Sequence, residues 1–360
     1  MVPRNRKTCA VLLGVSALLG TVLCAPYAAG AAPHAAPVEA VPNTDPGFLQ
    51  VYDANVENLP TSTETCKGDW HDLMYYMRLQ RYRPDIYLVQ QLSGQDQLDL
   101  LLSRMEEHFG EKFEGVVAEA NPKEGGGTCG PEKDYQTNAV IWRADRLELT
   151  LSQSPDNRWQ AQYAPDPDQP AYCVNGTASR TKGVKALLHD RIADKDVTAA
   201  SFHWPTQTNG GGTAACAVSN AGELSNELTE DGYGVADLFV AGGDTNRGAS
   251  THNGQDDWTD WYAATNADVG GAHGFRDAVY QGCGGDAVCA GENWSIQSDS
   301  GPRRIDFLFA REPGGTPADT SDTVVPDFDD ADQADIALTG DDNQDLNYSD
   351  HRAVGSRVHY

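Results

Sequence analysis

The sequence predicts a layered α/β fold in which β-sheets are sandwiched between helices, and three observations carry that prediction. Short apolar runs recur along the chain, each followed by a polar or glycine-rich stretch. Helical patterns fall between some of these runs. The runs also end in polar residues suited to chemistry: Asn55, Gln91, His203, Asp244 with Asn246, and Asp306. A strand with an apolar body and a polar C-terminal end buries its length and leaves its tip for function.

The elements follow in order. Residues 1–31 stand apart as a secretory signal peptide. Arg4, Arg6 and Lys7 form its basic start, Ala10 to Leu23 its apolar run, and "PYAAGAAP" supplies small residues for cleavage near Ala31. The apolar run is short for a membrane span and no second one follows, so a secreted, extracellular protein without a transmembrane segment is expected. Leu23 stands where a lipoprotein signal needs a small residue, which argues against lipidation of Cys24. Residues 32–46, with "PHAAPVEAVPNTDP", read as a flexible Pro/Ala linker, and residues 47–360 as one folded domain.

Within that domain "GFLQVYDANVEN", "PDIYLVQQL", "EGVVAEA", "NAVIWRA", "LELTL", "GVKALLH", "VTAASFH", "DLFVAGGD" and "RRIDFLFA" read as buried strands. Between the first two, "WHDLMYYMRLQRY" places Leu73, Tyr76, Met77 and Tyr82 near helical spacing. "GQDQLDLLLSRMEEHFG" is an amphipathic helix. No internal repeat, P-loop or GxSxG elbow is present.

Composition bounds the function. Acidic residues outnumber basic ones 53 to 26, for a net charge of −27. Such a charge favours solubility and opposes adsorption to polyanions, but what matters for a substrate is the local charge at the site. Loss of the signal removes Cys9 and Cys24 and leaves six cysteines: 66, 129, 173, 216, 283 and 289. An even number in an oxidising compartment points to disulfides, and no CxxC or His-x-His spacing suggests zinc. "CGGDAVC" favours a local Cys283–Cys289 bridge; the other four cysteines allow three pairings.

One further pattern decides the functional reading. "VYDANVENL", "RPDIYLVQQLS", "SFHW", "GGDTN", "RRIDFLFA" and "NYSDHRAV" occur in an order that resembles the endonuclease/exonuclease/phosphatase superfamily, of which deoxyribonuclease I is a member. The resemblance runs from Val51 to the C-terminus. It implies a four-layer sandwich of two packed, mostly antiparallel sheets flanked by helices. It also implies a metal-dependent phosphodiester hydrolase.

By resemblance, Asn55, Gln91 and Asp350 would surround Mg²⁺ or Mn²⁺, with Glu57 as a further carboxylate. Oxygen ligands of this kind suit a cation that keeps much of its water. Asp244 would hold or deprotonate the attacking water, Asn246 would orient water and phosphate, and His203 would act on the phosphate or leaving oxygen. Asp306 would hold His351 in one tautomer. The family carries Glu where this chain has Gln91, a neutral ligand that should weaken metal binding. Arg180, Arg247 and Arg352 are the expected substrate contacts, and Lys182, Arg303 and Arg304 also flank the motifs. Strand directions place the loops of Cys173 and Cys216 on the active-site rim, which favours Cys173–Cys216 and leaves Cys66–Cys129.

The acidic stretch Asp322–Asp345 lacks EF-hand positions; a solvated loop is expected there, with a structural Ca²⁺ site as the alternative. The function expected first is a secreted, monomeric nuclease cleaving DNA, with RNA as a further substrate. A sphingomyelinase-like phospholipase C, or another phosphatase of the superfamily, is the second reading, because Lys182-Gly183 opens a strand as in sphingomyelinases. A catalytically silent binding or toxin-like module, motivated by Gln91, is the third.

Overall fold

Why a chain this polar folds as layers is visible in the two-residue alternation of its strands. A computed structural model describes residues 40–56, 73–74, 77–78, 80–122, 136–152, 156–163, 173–175, 178–206, 214–298, 301–326 and 349–360. These lie in the unit Pro37–Tyr360. The elements begin with β1 (Phe48–Asn55), β2 (Ile86–Leu92), α1 (Gln95–Phe109), β3 (Phe113–Val117), β4 (Thr137–Arg143) and β5 (Leu147–Leu151). Next come β6 (Arg158–Gln160), β7 (Gln162–Tyr163), β8 (Val174–Asn175), β9 (Lys182–Asp190) and β10 (Lys195–His203). Helix α2 (Ala214–Glu227) leads to β11 (Leu238–Asp244), α3 (Asp260–Thr265), β12 (Arg276–Asp277), α4 (Ala278–Gly282) and α5 (Ala287–Glu292). The chain closes with β13 (Ile296–Ser298), β14 (Gly301–Arg303), β15 (Asp306–Arg311), β16 (Thr320–Val324) and β17 (Val354–His359).

Two mixed sheets hold most of these strands. One runs β16-β17-β1-β2-β4-β3 and the other β12-β15-β11-β10-β9-β5, with β6 added on β9. Each sheet carries one parallel pair, β1 with β2 and β10 with β11, and its other pairings are antiparallel. Three apolar clusters fill the three spaces between four layers. Leu49, Val51, Ile86, Leu88, Val197, Ala199, Leu238 and Val240 meet between the sheets. Their neighbours of opposite parity, such as Tyr52, Tyr87 and Val89, face outward with Leu98, Leu101 and Met105 of α1. Phe202, Phe239, Phe307 and Phe309 do the same on the other sheet, with Ala217, Ala221, Trp261 and Tyr262 of α2 and α3. The four-layer expectation therefore matches the structure, and its cause is burial of both faces of each sheet.

Helix α1 shows the local logic. Leu98, Leu101, Met105 and Phe109 recur at three- and four-residue steps and are buried, and Gly110 ends the helix at φ 74. That left-handed position costs glycine little, and its N–H bonds to the Glu106 carbonyl at 2.8 Å.

Two sequence-based expectations need correction here. Residues 40–46 are not a free linker. Val41 exchanges backbone hydrogen bonds with Arg81 and Arg83 (3.1 and 3.0 Å), and buried Asn43 donates to Asp85 at 2.7 Å. Nor is the acidic stretch wholly a loop, since Asp322–Val324 belong to the edge strand β16, where Asp322 pairs with Arg357. The rest of that stretch beyond 326 falls outside the described residues, as do residues 1–31, expected to be a signal peptide, and Glu57, Cys66 and Cys129. Among the described residues two cysteine pairs are bonded: Cys173 with Cys216 (Cα–Cα 5.3 Å) and Cys283 with Cys289 (5.7 Å).

Candidate active site

Strand register assembles the site. β10 and β11 run parallel with His203 opposite Asp244, and β11 and β15 run antiparallel with Asp244 opposite Asp306. The three side chains thus form a row across one end of the inter-sheet face. They share the parity of the apolar Val197, Ala199, Leu238, Val240 and Leu308 deeper in the same strands. The facing sheet contributes Asn55 at the end of β1, in register with Gln90. His351 enters from the turn before β17, bridged in backbone to Ile296.

The contacts are short and buried. His351 Nδ1 lies 2.8 Å from Asp306 Oδ2, and its Nε2 lies 3.8 Å from Asp244 Oδ2. Asn55 Nδ2 donates to Asp244 Oδ2 at 3.2 Å, and the Asn246 backbone N–H donates to Asp244 Oδ1 at 2.6 Å. Asp244, Asp306 and His351 offer ligand-type atoms all within 4.8 Å of one another. Of the expected site residues, His203, Asp244, Asn246, Asp306, His351 and Asn55 are therefore brought together.

The two histidines differ in charge. Asn246 Nδ2 donates to the Trp204 carbonyl at 2.8 Å, which fixes that atom as the nitrogen, and it also lies 2.9 Å from His203 Nε2. His203 Nε2 must then accept, so its proton sits on Nδ1 and the ring is neutral. Burial, then the charges of Arg180 and His351, hold its pKa well below the usual histidine range. For His351 burial also opposes the charge, but the Asp306 and Asp244 carboxylates overcome it and hold its pKa well above that range. Asp244 is pushed up to about 7, by burial first and then by Asp306.

Backbone strain collects here too. Gln91 (φ 66) and Asn246 (φ 53) are non-glycine residues in the left-handed region. Gln91 sits where the β2–β4 register shifts, a bulge that re-aims the strand end. Such conformations cost of order 1–3 kcal/mol each and collect at functional sites.

Several residues missed in the sequence complete the site. Buried Asp53 lies one alternation beneath Asn55; its Oδ1 accepts from Gln90 Nε2 at 2.8 Å, and Gln90 also donates to Ser201 Oγ at 3.0 Å. Gly242 makes room for this floor, because a Cβ there would stand 2.6 Å from Asp53 Oδ1. Burial, then Asp306, hold the Asp53 pKa well above the usual carboxylate range. Ser295 Oγ accepts from the Ile305 and Asp306 backbone N–H groups, both at 3.0 Å, and Ser349 Oγ accepts from that of His351 at 3.0 Å. Two-residue spacing from Asn55 was the signal for Asp53; Ser295 had none.

The basic residues divide. Arg180 acts electrostatically on both His203 and Asp244. Arg247 is half-buried beside Arg303. Arg352 is nearly buried, with its guanidinium 3.3 Å over the Trp294 ring. Arg304, expected at the rim, is instead buried against Asp277 at 2.7 Å and over Phe307. Lys182 pairs with Glu119 at 2.9 Å. Asp350 is 56% exposed at the edge, 3.9 Å from His351 Nε2.

The donor set fits a divalent cation. Three buried carboxylates, Asp53, Asp244 and Asp306, feel the charge of His351, and Arg180 adds its charge at Asp244. Asp53 Oδ2 and Asp306 Oδ1 have no hydrogen-bond partner among the described residues. Unbalanced buried negative charge of this kind is costly unless a cation compensates it.

No family model and no curated protein sequence matches the chain. Solved structures do. The catalytic domain of human Nocturnin with bound sulfate aligns with a TM-score of 0.55 at 13% identity, covering 89% of this chain and 96% of that one. TDP2 of D. rerio complexed with a single-strand DNA product gives 0.51 at 15%, covering 87% and 99%. An endonuclease/exonuclease/phosphatase family protein from Leptotrichia buccalis C-1013-b gives 0.51 at 13%, covering 87% and 100%. Identity this low leaves the backbone as the shared feature, and on that ground this chain has the endonuclease/exonuclease/phosphatase fold.

Proposed function

We propose that this protein is an exported, divalent-metal-dependent hydrolase of phosphodiester bonds in DNA. One observation carries the reading: an imidazolium, a neutral imidazole and three buried carboxylates converge at one end of the inter-sheet face. Asp53, Asp244 and Asp306, with the side-chain oxygens of Asn55 and Gln91, are the groups that would hold Mg²⁺ or Mn²⁺. Bound there, the cation would supply charge stabilisation for the phosphoryl oxygens. His351, being cationic, is a charge partner rather than a ligand, since a ligating imidazole must be neutral.

The protein's own groups do the rest. Asp244 takes a proton from the attacking water; burial and Asp306 push it up to about 7 while no cation is bound, and the cation it helps hold would lower it. His351, fixed by Asp306, presents Nε2–H to the phosphate and gives that proton to the leaving oxygen as the P–O bond breaks. His203 does not act as an acid in this state; it accepts from the Asn246 amide and so holds Asn246 in place. Arg180 and Arg247 add positive charge around the substrate.

DNA is favoured by the likeness to the TDP2 complex, whose product is single-strand DNA. The lipid reading loses its motivating pair. Lys182 is engaged with Glu119, and Gly183 leaves room for Trp159, whose ring a Cβ would approach to 2.3 Å. Purified protein should nick plasmid DNA with Mg²⁺, stop with EDTA, and leave sphingomyelin intact. Sphingomyelin turnover without DNA cleavage would replace this reading with the phospholipase C one.

A further inference from the structure

The first sheet sends four polar side chains to the site end of β1 and β2: Asp53, Asn55, Gln90 and Gln91. Three are amides. Asp53 is the only charged side chain of either strand, while the second sheet contributes Asp244 and Asp306. Along β1 the inner face reads Leu49, Val51, Asp53, Asn55, so the alternation puts a carboxylate where an apolar side chain would continue the core.

The surroundings of Asp53 are built to accept it. Ser201 Oγ donates to the Val89 carbonyl at 2.8 Å and therefore accepts from Gln90 Nε2 at 3.0 Å. The same Nε2 donates to Asp53 Oδ1 at 2.8 Å. Gly242 leaves the space, because a Cβ there would stand 2.8 Å from Asp53 Cγ. Asp53 Oδ2 is buried and has no hydrogen-bond partner among the described residues, and the Asp53 charge interacts with those of Asp244, Asp306 and His351. A wholly buried carboxylate with one oxygen unsatisfied is unfavourable, and a neighbouring cation offsets this.

We infer that Asp53 makes up for the neutral side chain at position 91, supplying from β1 the negative charge that β2 does not bring to the divalent-cation site. The inference rests on the metal-dependent reading above and deepens it. It gives Asp53 the part that the sequence suggested for Glu57.

The test is Mn²⁺ binding to the full chain without substrate, followed by loss of the free-ion electron paramagnetic resonance signal, so that it stands apart from turnover. Wild type should hold Mn²⁺ tightly. Asp53→Asn should weaken that binding about tenfold or more, because affinity for such cations follows the charge gathered around them. Adding Gln91→Glu to Asp53→Asn should restore binding to within about threefold of wild type, since the charge returns on the adjacent strand. Asp244→Asn should also weaken binding, and Glu57→Gln should cost less than Asp53→Asn. Where Asp53→Asn does not melt cooperatively in EDTA, Asp53→Ser replaces it and is read the same way.

The inference falls if wild type holds no Mn²⁺, if Asp53→Asn binds as wild type does, if Gln91→Glu brings no recovery, or if Glu57→Gln causes the larger loss. Binding that neither Asp53→Asn nor Asp244→Asn alters belongs to the acidic surface and overturns it too. Failure of the hydrolytic reading shows separately, as intact plasmid DNA in the presence of Mg²⁺ while Mn²⁺ binding still follows the expected pattern.

Discussion

The two ends of the inter-sheet face are built from similar residues and do opposite things. At the end away from the site, Asp85 meets Arg143 at 2.9 Å and Arg146 at 3.1 Å, and Arg146 meets Asp190 at 2.6 Å. Asn43, the Gln50 backbone and the Tyr360 hydroxyl add hydrogen bonds to the same carboxylates at 2.7, 2.8 and 2.9 Å. Two carboxylates balance two guanidinium groups, and the network ties the start of the fold to its last residue. At the other end three carboxylates share one imidazolium, with Arg180 nearby, and two of their oxygens are left without partners among the described residues. Burial raises the free energy of charges at both ends, pushing Asp85 up to about 6 against Arg146 and Arg143 and Asp244 up to about 7. Two guanidinium groups against two carboxylates make a clasp at one end, and the excess of carboxylates at the other makes a candidate cation site.

The same substitution placed at each end should separate these roles most widely. Asp244→Asn should lower turnover by about 10²–10⁴-fold, as loss of a general base does. It should not destabilise the metal-free protein. The folded pKa of about 7 lies above the unfolded value of about 3.9, so this group's stability contribution is full below about pH 4 and lost as pH rises through 7. Asparagine escapes that loss, and the mutant's melting temperature in EDTA should exceed wild type above pH 7. Asp85 is also pushed up, to about 6, but there the ionised carboxylate is what two buried guanidinium groups require. At pH 8, where it is ionised, Asp85→Asn should cost about 3–5 kcal/mol, with turnover per folded molecule unchanged. Denaturant melts and assays on both proteins decide it; an Asp85→Asn protein as stable as wild type would dissolve the contrast.

His351→Gln comes next, through its pH dependence. A pKa held above the unfolded value of about 6.5 means the His351–Asp306 pair contributes fully below that pH and fades as pH rises through the folded value. The stability gap between wild type and mutant, measured in EDTA, should therefore be widest near pH 6 and narrow toward pH 10. A gap that widens with pH would mean the ring is neutral in the folded state.

Gln91→Glu sharpens the comparison in the other direction. A fourth carboxylate at the open end should lower the half-saturating Mg²⁺ and lower the metal-free melting temperature at pH 8 together. An unchanged Mg²⁺ requirement would remove residue 91 from the metal's surroundings. The smallest effect belongs to the floor between the ends. Ser201→Ala removes the Gln90–Ser201 bond and the Ser201–Val89 carbonyl bond of 2.8 Å, and should cost about 1–2 kcal/mol in a urea melt.

Much of this architecture was legible because strands are local objects. The runs ending at Asn55, His203 and Asp244 are strands observed, and their polar ends gather. Asp306, expected at a C-terminal end, is instead the first residue of β15, which reaches the same place because it runs antiparallel to β11. The alternation that separates Leu49, Val51 and Asp53 from Tyr52 and Ala54 was also present, although Asp53 went unread as part of the site. The rim arginines were less legible. Arg304 sits in the same motif as Arg303, yet Arg304 is buried on Asp277 while Arg303 is only half-buried, and only packing separates them. Lys182-Gly183 resembled a substrate feature and proves to be an ion pair beside a tryptophan-packing glycine.

By itself the sequence determined where strands start and stop, which of their residues share a face, and that apolar bodies end in polar tips. These follow from a two-residue repeat and from the cost of burying polar groups, both readable within a few residues. The tertiary structure alone decided the charge of each histidine. His203 is neutral because Asn246, fixed by the Trp204 carbonyl, donates to its Nε2; His351 is cationic because two carboxylates from other strands surround it. Protonation in a dry interior depends on which groups the register brings within a few ångströms, and no local pattern carries that distance.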